Sequence, residues 1–129
     1  MKRNSWLLAT GLAAAAGALL HHPVQAQTFP SRPVRLVVGY AAGGPVDLGA
    51  RMFAPGLQKQ FAQPVLVENK PGASTTIAAA YVAHAKPDGY TLFVAGPNLA
   101  IPIGTKLDYD PIKGFAPVVQ LASSASFFV

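Results

Sequence analysis

Three short segments carry the residue types best suited to holding a small polar molecule. They are Tyr40 to Asp47, with Ala41, Ala42, Gly43 and Gly44 inside it, Lys70 to Thr76, with Ala73, Ser74 and Thr75, and Gly96 to Leu99, with Asn98. Paired glycines let main chain approach a ligand without side-chain interference. The hydroxyls of Ser74, Thr75 and Thr76 and the amide of Asn98 are neutral hydrogen-bonding groups. The chemistry this predicts is capture of an anion through backbone and hydroxyl groups, with no cationic clamp. Each residue also has a plainer reading. Gly43 and Gly44 could form only a tight turn, and Ser74 or Thr75 could cap a helix. Asp47 could touch a polar group of the ligand or simply favour the helix it begins. Tyr40 could wall a pocket or end a strand, and Asn98 could be a turn residue.

Reaction chemistry fares poorly by comparison. Gly39-Tyr40-Ala41-Ala42-Gly43-Gly44 lacks the Gly-x-Gly-x-x-Gly spacing of a dinucleotide loop, and no Lys-Ser/Thr phosphate loop follows a strand. His84 has no evident Ser or Cys partner for nucleophilic catalysis. No His, Asp and Glu cluster has metal-ligand spacing. Asp108 and Asp110 flank Tyr109 and are better placed to shape a turn before Pro111. The expectation is a binding protein that is not an enzyme and has neither cofactor nor metal.

The elements that must position these segments follow from hydrophobic spacing. Val34 to Val38 is a β-branched run ending at Gly39, a strand entering a glycine loop. Val46, Ala50, Phe53, Leu57 and Phe61 recur at helical steps, and Pro45 suits the first turn. Pro55-Gly56 inside that pattern predicts a bend or two short helices, because an interior proline costs about 3 kcal/mol. Val65 to Glu68 is a second strand. A second helix, capped by Ser74 or Thr75 and faced by Ile77, Ala80, Tyr81 and His84, runs to the turn Lys86-Pro87-Asp88-Gly89. Tyr90 to Ala95 is a third strand. Residues 99–114 are irregular, and Phe115 to Leu121 and Ala125 to Val129 are predicted to be further strands. Alternating strands and helices call for a parallel sheet with right-handed crossovers and helices on both faces. In such sheets ligands sit beyond the carboxyl ends of the strands, where all three loops emerge and two of them enter helix N-termini.

The 129-residue chain is 51% hydrophobic and 12% charged, too apolar for disorder. Its first 26 residues explain part of that. Lys2 and Arg3 precede a Leu- and Ala-rich run from Trp6 to Leu20, and Val24-Gln25-Ala26 supplies a peptidase-type site, the order of a cleaved export signal. The alternative is an uncleaved membrane anchor of the same topology. With no Cys in the chain, a lipid-modified Cys is excluded and no covalent membrane anchor is expected. Removing Lys2 and Arg3 lowers the net charge from +5 to +3. Spread along the chain, that charge predicts no nucleic-acid partner, which would need clustered Lys and Arg.

The pattern resembles the tripartite tricarboxylate transporter receptors, or Bug family. Phe29 to Val38 is similar to the mature N-terminus of that family, Tyr40 to Asp47 to its first ligand loop, and Gln63 to Ala73 to its second strand and following loop. Lys86 to Leu92 and Tyr109 to Val118 complete the likeness. The resemblance implies a periplasmic receptor with two α/β lobes closing on a small carboxylate, which many members pass to a membrane permease. On this reading residues 27–122 are a first lobe and 123–129 begin the crossing to a second lobe. An exposed apolar end at Ser126-Phe127-Phe128-Val129 is expected of an interrupted sequence, so two further readings stand beside a receptor component. One is a fragment with no function, and the other is a one-lobe carboxylate-sensing or interaction module. The resemblance also marks two departures. Ser74-Thr75-Thr76 stands where the family has more glycine, and Pro55 interrupts a helix that is continuous in the family.

Overall fold

The computed structural model describes residues 28–96 and 106–123. The expected export signal, Asn98 and the strand predicted over residues 125–129 lie outside the described residues.

Three parallel strands form the sheet: β1 (Val34–Val38), β2 (Val65–Asn69) and β3 (Thr91–Val94), in the order β2-β1-β3. β1 is central, so its β-branched residues are buried from both sides. Val34, Leu36, Val37 and Val38 are all shielded from solvent. Two helices separate the strands, α1 (Pro45–Phe61) and α2 (Thr76–Ala83). α1 sets Ala54, Leu57 and Phe61 against Leu36, Val65, Val67, Leu92 and Val94, all on one face of the sheet. α2 packs on β3 and β1. Its Tyr81 hydroxyl accepts from Arg35 at 3.1 Å, which places the helix on the opposite face. Buried Ala78 and Ala79 let α2 lie close to the sheet. The fold is therefore an α/β layer structure with helices on both faces, as the spacing predicts.

Register decides where the loops begin. Val38 pairs with Asn69 on one side and with Val94 on the other, so all three strands end level. All three loops therefore leave from one edge of the sheet, the carboxyl-terminal edge beyond which ligands gather in parallel α/β sheets.

Three expectations are corrected. α1 is one unbroken 17-residue helix with Pro55 inside it. Pro55 cannot donate to the Arg51 carbonyl, but both residues are exposed, so water can satisfy that oxygen. Neither Ser74 nor Thr75 caps α2 through its side chain. Ala73–Thr75 instead form a short 3-10 turn, and the Thr76 hydroxyl donates back to the Ala73 carbonyl at 2.8 Å. Residues 115–121 form no strand, and 116–121 are exposed. Phe115 packs on Phe93 and Tyr109, with ring centroids 5.9 Å apart in each case. That anchors the segment to the sheet face beside α2 instead of pairing it with a strand edge.

The far end of the sheet is pinned by aromatic and polar contacts. Phe29 meets Tyr90 edge-on at 5.0 Å, and the Arg32 guanidinium lies 3.9 Å over the Tyr90 ring while pairing with Asp88. The Tyr90 oxygen accepts from the Ser31 N–H at 2.9 Å. Hydrogen bonding from Ser31, through its hydroxyl and its N–H, draws the Tyr90 phenol below its ordinary value. The turn expected before Pro111 instead runs over residues 111–114 with Pro111 inside it, and Asp110 starts it, its carboxylate accepting from the Ile112 and Lys113 N–H groups at 2.8 Å.

Candidate functional site

The first loop leaves β1 through Gly39, turns at Gly43 (φ 82) and enters α1 at Gly44. The Gly44 N–H donates to the Ala41 carbonyl at 3.2 Å, which closes the turn. The second loop leaves β2 and passes through four consecutive residues with positive φ: Gly72 (127), Ala73 (44), Ser74 (52) and Thr75 (76). Only the first of these is a glycine. A β-branched residue in the left-handed region is a genuine outlier, and such strain persists only where the surroundings over-determine it. Those surroundings are visible at Thr75, which is buried at 5% exposure with its side chain wedged on Gly39. The wedge ties the second loop to the base of the first.

Of the sequence-predicted residues, the structure brings Tyr40, Ala42, Gly43, Gly44, Ala73 and Ser74 to this carboxyl-terminal edge, with Gly96 following β3. The Tyr40 ring lies directly over Gly96, filling the space a side chain there would need, and so bridges the first and third loops. Ala42, Ala73 and Ser74 are exposed, and among the described residues their backbone N–H groups have no acceptor. These groups are left uncommitted on the exposed side of the two loops. Thr75 is different, because its side chain is turned inward and its N–H already donates to the Gly72 carbonyl at 3.0 Å.

Asp47 also faces inward. It is 1% exposed, and its carboxylate is saturated by protein donors. Arg51 Nε reaches both oxygens at 3.0 and 3.1 Å, the Gly43 N–H donates at 2.7 Å, and Asn69 Nδ2 donates at 2.8 Å. Those bonds, from Arg51 first, then Gly43 and Asn69, hold the Asp47 carboxyl down at about 2. It is therefore an ionised, internally paired group that organises the loop and makes no contact with solvent. Sequence reasoning missed Arg51 and Asn69. The i,i+4 spacing of Asp47 and Arg51 was a usable signal, whereas Asn69 lies 22 residues away and is brought in only by strand register.

Arg51 is committed to Asp47, while the Lys70 ammonium, 4.2 Å over the Tyr81 ring, keeps its charge beside the second loop. An anion would meet that charge, the uncommitted N–H groups and the positive end of α1.

Comparison with known proteins matches residues 49–129 to the tripartite tricarboxylate transporter family receptor (TctC) model. A UPF0065 protein from the gbd 5' region of Cupriavidus necator is 44% identical over 95% of this chain and 39% of its own length. BugT of Bordetella pertussis is 35% identical over 74% of this chain and 31% of its own. Among solved structures, MatC of Rhodopseudomonas palustris with bound malate is 44% identical with a TM-score of 0.61, covering 70% of this chain and 32% of that one. An R. palustris protein with adipate is 39% identical with a TM-score of 0.54, covering 55% of this chain and 24% of that one. The chain thus spans about two fifths or less of the length of these relatives.

Proposed function

Because this chain belongs to the tripartite tricarboxylate transporter receptor family, we propose that it supplies the first carboxylate-binding lobe of a periplasmic solute receptor. The observation that carries this reading is that Ala42, Ala73 and Ser74, exposed and with N–H groups free of acceptors among the described residues, all lie in loops leaving strands that end level. A carboxylate accepts from such groups without needing a counter-ion, and the α1 dipole adds a favourable field. Tyr40 and Gly96 form the wall on the β3 side, and Gly43 and Gly44 keep the first loop thin enough for close approach. The malate and adipate held by the similar structures favour dicarboxylates of this size range as solutes.

Residues 1–26 serve in this reading as a cleaved export signal, and no helix of the described residues is long and apolar enough to cross a membrane. Residues 27–122 make the first lobe and 123–129 enter the crossing to a second lobe, in keeping with the greater length of the relatives. A membrane permease receives the solute. The role is binding, with no catalytic step.

The test is an amide spectrum of the 15N-labelled protein titrated with malate, adipate and an uncharged diol of similar size. Binding by this lobe shifts the Ala42, Ala73 and Ser74 amides with a carboxylate and leaves them still with the diol. Carboxylate shifts confined to other surfaces, or none, would remove the site assignment.

A further inference from the structure

Asn69 stands where the first loop, α1 and the end of β2 meet. Its side-chain amide donates to the Tyr40 carbonyl at 3.1 Å and to Asp47 Oδ1 at 2.8 Å, while its Oδ1 accepts from Arg51 at 3.0 Å. Asp47 in turn accepts from the Gly43 N–H at 2.7 Å. The two ends of the first loop, Tyr40 and Gly43, are therefore fastened to the same pair of side chains. Asn69 is also the last residue of β2, and the next residue, Lys70, donates its N–H to the Val38 carbonyl at 2.8 Å before the second loop begins. We propose that Asn69, through Asp47 and Arg51, is a positioning residue that sets the spacing between the two loops and thereby the carboxylates the lobe accepts. The proposal rests on the carboxylate reading above, and it names for that site a residue that touches no solute.

The donor and acceptor pattern makes Asn the side chain that fits. An amide can donate two hydrogen bonds and accept from a cation at once. A carboxylate of the same shape could keep Arg51 but would have nothing to donate to Tyr40 or Asp47. A second negative charge would then face Asp47, and the only cation held in that cluster is Arg51. In a part-buried network of this kind the loss of one donor is felt by every member it joins. The Tyr40 carbonyl and Asp47 would each lose a partner, and the first loop would no longer be tied to the end of β2.

The experiment compares Asn69→Asp and the smaller Asn69→Ser with the unaltered full chain, by amide spectra without solute and by malate titration. The latch predicts that the Gly43 amide proton moves upfield as its bond to Asp47 lengthens. Resonances of residues 40–44 and 72–75 shift with it, while those of β3 and of the Phe29–Tyr90 end stay in place. Malate affinity falls at least tenfold in Asn69→Asp and less in Asn69→Ser, which retains a hydroxyl donor. If Asn69→Asp does not fold, Asn69→Ser decides alone by the same two readings. Unchanged Gly43 and loop resonances with unchanged malate affinity would overturn the proposal. So would a loss of stability spread evenly over the sheet with the Gly43 signal unmoved. Failure of the unaltered chain to take malate or adipate would count against the carboxylate reading, and the solute-free Gly43 shift would still decide the latch.

Discussion

Gly39 gives the sharpest test of how the two loops are joined. A Cβ at this position would lie 2.8 Å from Thr75 Cβ, 3.1 Å from its Cγ2 and 3.3 Å from its Cα. Neither the Cα nor the Cβ of Thr75 can be moved by a rotamer change, so Gly39→Ala must displace main chain in one loop or the other. Overpacking of this sort costs about 1–3 kcal/mol, and main-chain involvement puts Gly39→Ala near ~2 kcal/mol. With a urea slope of about 1–2 kcal/mol/M for a small domain, the unfolding midpoint should fall by roughly 1–2 M. Thr75→Gly is the matching change. Releasing a residue from the left-handed region gains about 1–2 kcal/mol. A freer unfolded chain offsets about 0.5–1 kcal/mol of that, and lost side-chain burial offsets about 1 kcal/mol more. Alone, Thr75→Gly should therefore sit within about 1 kcal/mol of the parent, the residue of those opposed effects. Combined with Gly39→Ala it should restore most of the lost midpoint, a coupling of about 2 kcal/mol where distant sites would simply add. Urea unfolding followed by circular dichroism measures all four proteins. An unchanged midpoint in Gly39→Ala, or a double variant at the sum of the singles, would refute the wedge between the loops.

Two further outcomes follow from the same geometry. The Asp47 carboxyl is held at about 2, below the ordinary 3.8, so its ionised form is favoured by folding. That contribution is complete above about pH 4 and is lost as pH falls through about 2. Urea midpoints taken between pH 5 and pH 2 should drop steeply in the parent and more gently in Asp47→Asn, whose midpoint is already lower at pH 5. Pro55→Ala should stabilise the protein by about 1–2 kcal/mol, because the helix regains a main-chain bond worth more than the entropy that proline removes from the unfolded chain. A lower melting temperature for Pro55→Ala would show that the proline ring packs usefully on the exposed side of α1.

The parts of the fold that depend on neighbours along the chain were legible in the residues. The β-branched run before Gly39, the helical recurrence from Val46 to Phe61 and the Lys86 to Gly89 turn each announce an element through local spacing. The parallel sheet follows from their alternation, although the order β2-β1-β3 does not, since either neighbour could have taken the centre. Where local rules were applied to residues held by tertiary contacts, they misled. Pro55 reads as a break, but its lost bond points to solvent and α1 is held along its length by Ala50, Ala54 and Leu57. Ser74 and Thr75 read as caps, but the wedge against Gly39 drives them into the left-handed region, where neither side chain reaches the helix N–H groups. Phe115 to Leu121 has the composition of a strand, and the pairing of Phe115 with Phe93 holds it elsewhere.

The same distinction separates what holds the site from what would meet the solute. Charged residues near the loops look at first like ligand contacts, yet each already has a partner within the protein. Asp47 is closed off by Arg51, Gly43 and Asn69, Arg51 by Asp47 and Asn69, and Lys70 lies over Tyr81. On the proposed reading a solute carboxylate would meet fixed dipoles whose strength depends on where the loops stand, since hydrogen bonds weaken steeply with poor distance and angle. In a site built on a free arginine, a small loop displacement can be followed by a long flexible side chain, whereas a backbone N–H moves only with its loop. Discrimination between one carboxylate and another would then reside in the separation of Ala42 from Ala73 and Ser74, which the proposal assigns to the Thr75 wedge on Gly39 and the Asn69 latch on Tyr40 and Gly43. Substitutions behind the loops should for that reason change which carboxylate is preferred, whereas removing the net positive charge of distant lysines should leave the preference as it is.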